Sequence, residues 1–145
     1  MIDITKRDRQ TLIPGGGCQG LAAFVEKDAP GPRDRLEIAR RFAQEWGQVV
    51  VLKGANTVVA GPDGRVAVTG IATTALAHAG TGDVLAGIIT GLRAQGLSAF
   101  DAAVVGSWIH ARAGIAAAEW VGHPASVLAS DVLDSIADVL QQIDQ

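Results

Sequence analysis

The segment Ala79-Gly80-Thr81-Gly82-Asp83-Val84-Leu85-Ala86-Gly87 concentrates the residue types that could do chemistry in this chain. Its glycines open backbone angles closed to other residues, and their bare Cα atoms let an anion approach the main chain. Val84, Leu85, Ile88, Ile89 and Leu92 trace one helical face directly behind the turn. A helix beginning near Gly82 would aim its unpaired N–H groups and positive dipole end at whatever sits there. That arrangement suits a transferring phosphoryl group, with Asp83 placed to accept the proton of an attacking hydroxyl. The same residues suit plain helix capping by Thr81 or Asp83, and spacing alone leaves both readings open. The turn is not a Walker A loop, because no GK[ST] follows the spacer. Nor is it the GxGxxG fingerprint, because the third glycine is missing at its offset.

Lys53 is the second candidate. It directly follows the run Val49-Val50-Val51-Leu52 and precedes Gly54-Ala55-Asn56-Thr57. Ligands of α/β proteins bind at strand ends, where an ammonium could reach a phosphate and a glycine would leave it room. A solvent-exposed strand terminator is the plain alternative, and Asn56 and Thr57 are ordinary turn formers. His78, His110 and His123 share no metal-ligand spacing, so no protein metal site is expected. His110 lies in an alanine-rich stretch, as a buried hydrogen-bonded histidine or a pocket-lining one. Trp108 and Trp120 read as packing residues.

These candidates need elements to hold them. Leu36, Ala39, Phe42, Ala43 and Trp46 recur at helical spacing from Asp34 to Trp46, and Gly47 is a natural stop. Val49–Leu52 is a β-branched run, as in a strand covered on both faces. Thr57–Ala60 and Arg65–Thr69 flank Gly61-Pro62-Asp63-Gly64 and predict a hairpin. After the glycine-rich helix, which Gly96 should stop, Asp101 could cap another. That helix would bury Ala102, Val105, Ile109, Ala113 and Ala116. Ser130 or Asp131 could cap a last helix whose stripe is Val132, Leu133, Ile136, Val139, Leu140 and Ile143. Residues 1–32 read as irregular: Ile2, Ile4, Leu12 and Ile13 could mark short strands, but Pro14–Gly17 and Ala29–Pro32 punctuate heavily. The inventory is α/β, short of strands for a large covered sheet.

Composition narrows the function classes. The 145 residues suit one domain, and the single Cys18 excludes an internal disulfide framework. A net charge of -3, with no basic stripe, argues against a nucleic-acid partner. The chain is 48% hydrophobic but only 4% aromatic, so its apolar surface is small and aliphatic, which suits close helix–sheet packing. No apolar run reaches the roughly 18 residues of a membrane span, and MIDITKRDRQ is no secretory leader, so a cytoplasmic location without membrane attachment is expected.

Taken together, residues 48–143 resemble the C-terminal portion of the ADP/ATP-dependent NAD(P)H-hydrate dehydratase family, a branch of the ribokinase-like superfamily. The resemblance rests on Leu52–Thr57 (LKGANT), the Pro62-Asp63-Gly64 hairpin and Ala77–Leu97 (AHAGTGDVLAGIITGLRAQGL). It continues through Ala102-Ala103, the His110 helix with Ala113-Gly114, and Ala129-Ser130-Asp131. It implies a ribokinase-like three-layer α/β/α fold lacking its N-terminal part, with residues 1–32 divergent and 33–145 the C-terminal part of a nucleotide-binding and catalytic domain. It implies that ADP, or ATP, gives a phosphoryl group to the hydroxyl of hydrated NADH or NADPH, after which phosphate leaves. Magnesium would arrive with the nucleotide.

By the same resemblance Lys53, Gly54, Ala55, Asn56, Thr57 and Gly82 contact the nucleotide. Ala79, Gly80, Thr81 and Gly82 form the anion hole, and Asp83 is the base that also touches the hydrated dinucleotide. The family's Pro-His-Pro-Gly-Glu stretch has no counterpart in Leu12-Ile13-Pro14-Gly15-Gly16-Gly17, so the substrate half reads as incomplete. A sugar or vitamin-precursor kinase of the same superfamily, and a catalytically inactive nucleotide-binding fragment, are the alternatives. An incomplete sheet would also leave an edge that a homo-oligomer could cover.

Overall fold

In the computed structural model, which describes Ile2–Asp3 and residues 32–143, Ile38, Ala39, Phe42 and Ala43 form the buried face of helix α1 (Pro32–Trp46). Pro32 opens the helix, where its missing N–H costs nothing, and Asp34 in the first turn complements the dipole. Gly47 ends it at φ 62°. The strand candidates Ile4, Leu12 and Ile13, the Pro14–Gly17 turn and Cys18 lie outside the described residues, whereas Ile2–Asp3 forms strand β1.

Strands β1, β2 (Val50–Leu52), β3 (Val58–Ala60) and β4 (Val66–Val68) follow one another in a single sheet. β2 runs parallel to β1 and antiparallel to β3, with Val50 opposite Ala60 and Leu52 opposite Val58. The β-branched run is thus an interior strand, as expected. The hairpin turn closes through Gly61 N–H to Arg65 O at 2.8 Å and Gly64 N–H to Gly61 O at 3.0 Å. Asp63 accepts from Arg65 Nε at 2.7 Å and from its backbone N–H at 3.1 Å, and these bonds hold its carboxyl below the ordinary range.

The described residues fall into two compact units, one of residues 2–3, 32–54 and 58–67 and one of residues 55–57 and 68–143. In the first, α1 packs on β2 and β3. Ile38, Ala39, Phe42 and Ala43 meet Val50, Val58 and Ala60 in a solvent-free cluster, edged by Leu36, Trp46 and Leu52. Val51 and Val59, pointing to the other face, are also buried, so the central strands are apolar on both sides.

The second unit is helical: α2 (Thr81–Ala94), α3 (Ala99–Val121), α4 (Ala129–Asp134) and α5 (Ile136–Ile143), with 3-10 turns at Thr74–Leu76 and Pro124–Ser126. Its core joins Ala75, Ile109, Ala113, Ala117, Val127, Val132 and Val139. Two glycines let α3 approach its neighbours. A Cβ on Gly106 would lie 2.6 Å from Ile89 Cγ1, and one on Gly114 would lie 2.7 Å from Leu76 Cδ2. Among the described residues no helix is long and apolar enough to cross a membrane.

Several expectations need correction. The cap of α3 is Ser98, whose hydroxyl accepts from Asp101 N–H at 3.1 Å, because the helix begins one turn earlier than the alanine run suggests. The last stripe spans two helices broken at Ser135, and Asp131 accepts from Leu128 N–H at 2.7 Å from within the first turn of α4. Val132 and Val139 of that stripe are buried against α3, but Leu133, Leu140 and Ile143 are exposed. On α3 itself, Val105 is exposed in place of the buried Gly106 and Ser107, and Trp120 is 81% exposed rather than packed.

The first unit's core makes a direct contrast testable. Phe42 is 2% exposed and stacks on Trp46 at 4.7 Å, whereas Glu45 meets Arg41 at 3.9 Å in the open. Phe42→Ala should lower unfolding free energy by about 3–5 kcal/mol in urea titrations, against at most about 1 kcal/mol for Glu45→Ala.

Candidate functional site

Gly80 adopts φ 87°, ψ -22° as the residue preceding α2, a left-handed conformation that reverses the chain into the helix. A side chain there would also crowd Ala129, whose Cβ lies 3.1 Å from an ideal Cβ on Gly80. Gly80 O accepts from Asp83 N–H at 3.0 Å and from Val84 N–H at 3.3 Å. The N–H groups of Thr81 and Gly82, earlier in the turn, consequently have no intrahelical acceptor. α2 begins at Thr81, one residue before the expected start, so both amides belong to its first turn.

Thr81 anchors the turn. It is 2% exposed, and its hydroxyl is 2.9 Å from both Leu76 O and His78 O. The single hydroxyl proton is shared between these two carbonyls, Leu76 ending the preceding 3-10 turn and His78 lying two residues beyond it. That turn is itself capped by Thr73, which accepts from Ala75 N–H at 3.2 Å. Thr81 O in its turn lies 2.8 Å from His110 Nε2, and since a carbonyl can only accept, Nε2 carries the proton. His110 is 5% exposed on α3, so it is the buried, hydrogen-bonded histidine of the two alternatives. His78 Nδ1 likewise donates to Ala75 O at 3.2 Å. Of the residues in this turn, Ala79, Gly80 and Asp83 are exposed and Gly82 is half-buried.

The strand-end loop is built differently. Lys53 is half-buried at the end of β2, and Gly54 follows with φ 148°. Asn56 sits at φ 57°, a left-handed angle that asparagine tolerates better than most residues. Thr57 O accepts from Thr69 N–H at 3.1 Å, which ties the end of the loop to the hairpin. Lys53 and Gly54 belong to the first unit, while Ala55–Thr57 and Ala79–Asp83 belong to the second.

Arg35 is the residue that sequence reading missed. Its Nη2 donates to Leu52 O and to Lys53 O, each at 3.1 Å. The separation of 17 residues carries no local periodicity that would have pointed to it. Among the described residues, no three His, Cys, Asp or Glu side chains converge as metal ligands would.

With this geometry in hand, comparison with known proteins is informative. The family model of NAD(P)H-hydrate dehydratase matches residues 22–138. A bifunctional NAD(P)H-hydrate repair enzyme from Moorella thermoacetica is 46% identical over 112 residues, covering 77% of this chain and 21% of that protein. An ADP-dependent (S)-NAD(P)H-hydrate dehydratase from Neisseria meningitidis is 42% identical over 142 residues, covering 90% of this chain and 48% of that one. The chain therefore spans half or less of the length of these relatives. A crystal structure of the ADP/ATP-dependent NAD(P)H-hydrate dehydratase of Bacillus subtilis, co-crystallised with ATP and Mg²⁺, superposes with a TM-score of 0.68 at 31% identity. It covers 76% of this chain and 39% of that structure.

The anchoring of the turn has a measurable cost of removal. Thr81→Val keeps the side-chain shape and leaves the Leu76 and His78 carbonyls without their shared donor. Chemical denaturation should show a loss of about 1–3 kcal/mol, as for a buried acceptor left unpaired.

Proposed function

Because this chain belongs to the NAD(P)H-hydrate dehydratase family, within the ribokinase-like superfamily, we propose that it carries the nucleotide-binding and catalytic part of an ADP-dependent (S)-NAD(P)H-hydrate dehydratase. ATP is the alternative donor, in keeping with the ATP and Mg²⁺ of the Bacillus subtilis crystals. The observation that carries this reading is the left-handed Gly80 turn, which opens α2 with two amides lacking intrahelical acceptors and an exposed Asp83 one residue later.

In the proposed reaction the terminal phosphoryl group of the nucleotide passes to the hydroxyl oxygen of the hydrated nicotinamide ring. Its bond to the nucleotide breaks, and the hydroxyl proton goes to the Asp83 carboxylate. The ring C–O bond then breaks with its electron pair going to the departing phosphate, and the adjacent ring carbon releases a proton, its C–H electrons forming the restored ring double bond. Ala79, Gly80, Thr81 and Gly82 form the anion hole, in which the Thr81 and Gly82 N–H groups and the helix dipole stabilise phosphoryl oxygens. Lys53 adds a positive charge at the nucleotide phosphates, and Gly54–Thr57 provide backbone around them. Mg²⁺ would arrive with the nucleotide and offset the charge of its phosphates. Little covalent help is asked of the protein: it supplies position and charge.

The direct assay mixes the chain with ADP, Mg²⁺ and hydrated NADH and follows the return of NADH absorbance. Recovery of NADH supports the proposal. Phosphorylation of a sugar or vitamin-precursor alcohol with none of the hydrate would replace it with the kinase reading.

Two substitutions test the roles separately. Lys53→Ala should weaken ADP binding in calorimetry, and by a larger factor at low salt than at high salt, because mobile ions screen the lost charge. Unchanged affinity would remove Lys53 from the phosphate site. Asp83→Asn should preserve folding and ADP affinity while cutting turnover by about 10²–10⁴-fold, the usual loss when a general base is removed. Turnover equal to the wild type would assign the base elsewhere.

A further inference from the structure

Arg35 occupies a position that electrostatics and packing both disfavour. It lies in the first turn of α1, where a cation opposes the positive end of the helix dipole. Burial lowers its pKa from the ordinary arginine value, although a guanidinium stays protonated at neutral pH. Its Nε is buried without a hydrogen-bond partner among the described residues, a cost that native proteins usually avoid. An arginine turned toward water would escape all three penalties.

What the side chain gains is the end of β2. The two protons of Nη2 serve the carbonyls of Leu52 and Lys53, the last strand residue and the one that follows it. The rest of the guanidinium lies against Gly54. An ideal Cβ on Gly54 would lie 2.5 Å from Nη1, 2.8 Å from Nη2 and 3.0 Å from Cζ. Gly54 also has φ 148°, outside the range open to side chains. The glycine is thus required twice over, by its backbone angle and by the arginine above it. Lysine could not replace the planar fork, since its ammonium is a point charge on a flexible stem.

We propose that Arg35 is a positioning residue for the nucleotide loop: by holding the Leu52 and Lys53 carbonyls and covering Gly54, it fixes the direction in which the chain leaves β2 and so the presentation of Lys53 to the phosphates. This role rests on the reading of Lys53–Thr57 as the nucleotide loop. Its effect is preorganisation, which lowers the ordering cost of binding rather than adding a contact.

The test compares wild type, Arg35→Lys and Arg35→Met in backbone amide relaxation without ligand and in ADP titrations, both well below the melting temperature of each protein. In both variants the Lys53 and Gly54 amides should lose order while those of β3 keep theirs, and ADP affinity of the folded protein should fall about tenfold. Lysine keeps the charge, so restored affinity in Arg35→Lys would overturn positioning in favour of charge alone. Unchanged order at Lys53 and Gly54 would overturn the clamp. Lost order with unchanged affinity would show that the nucleotide does not use the arrangement, and would also overturn the proposal. If Arg35→Met does not fold, Arg35→Lys alone decides by the same criteria. Wild-type protein that binds no ADP would sink the nucleotide reading and this role with it, whereas wild-type binding with unchanged variants would sink this role alone.

Discussion

Thr81 ties three parts of the chain together through hydrogen bonds, where the surrounding core contacts are apolar and non-directional. Its hydroxyl serves the carbonyls of Leu76 and His78, its own carbonyl takes the His110 proton from α3, and its side chain is shut away from solvent. Each partner would be a costly orphan if the turn moved, since buried polar groups must be paired. Gly80 enters the helix just ahead of it in a left-handed conformation, beside Ala129. The orientation of the first α2 amides is therefore set by buried contacts behind them. Preorganised dipoles of this kind need no rearrangement when charge develops in front of them.

The first unit meets a similar requirement by a different route. A strand that ends in a loop leaves carbonyls without ladder partners, and loops usually satisfy them with water. At the end of β2 a guanidinium from α1 does so instead, accepting an unpartnered Nε and an unfavourable helix end in return. The apolar contacts of Phe42, Ala39 and Ile38 with β2 and β3 hold α1 close enough for that reach. Core packing thus extends into the geometry of the loop. Local rules broken at one place are often the mark of a site rather than of poor folding.

Periodicity carried much of the architecture. The α1 face, the interior strand, the hairpin and the α2 stripe all follow from spacing and turn residues, because each is decided within a dozen neighbours. Errors arose where small residues blur the pattern. In α3, alanine and glycine give a weak stripe, so Val105 looked like core while Gly106 and Ser107 are the residues that face it. Ser98 outcompeted Asp101 as the cap because the helix could extend back through Ala99 and Phe100. The glycine-rich turn ahead of α2 was readable from its composition. Its supports, His110 at a separation of 29 residues and Arg35 at 17 from Leu52, depend on tertiary contact and leave no local trace.

The central claim is that the opening of α2 receives phosphate. Titrating isotopically labelled chain with ADP and Mg²⁺ while following backbone amide resonances addresses it directly. The account predicts that the Gly82 and Thr81 amides move most within α2 and its preceding turn, as expected for N–H groups that acquire an anionic acceptor, and that AMP moves them less. Saturable ADP binding that leaves both amides unmoved would contradict it.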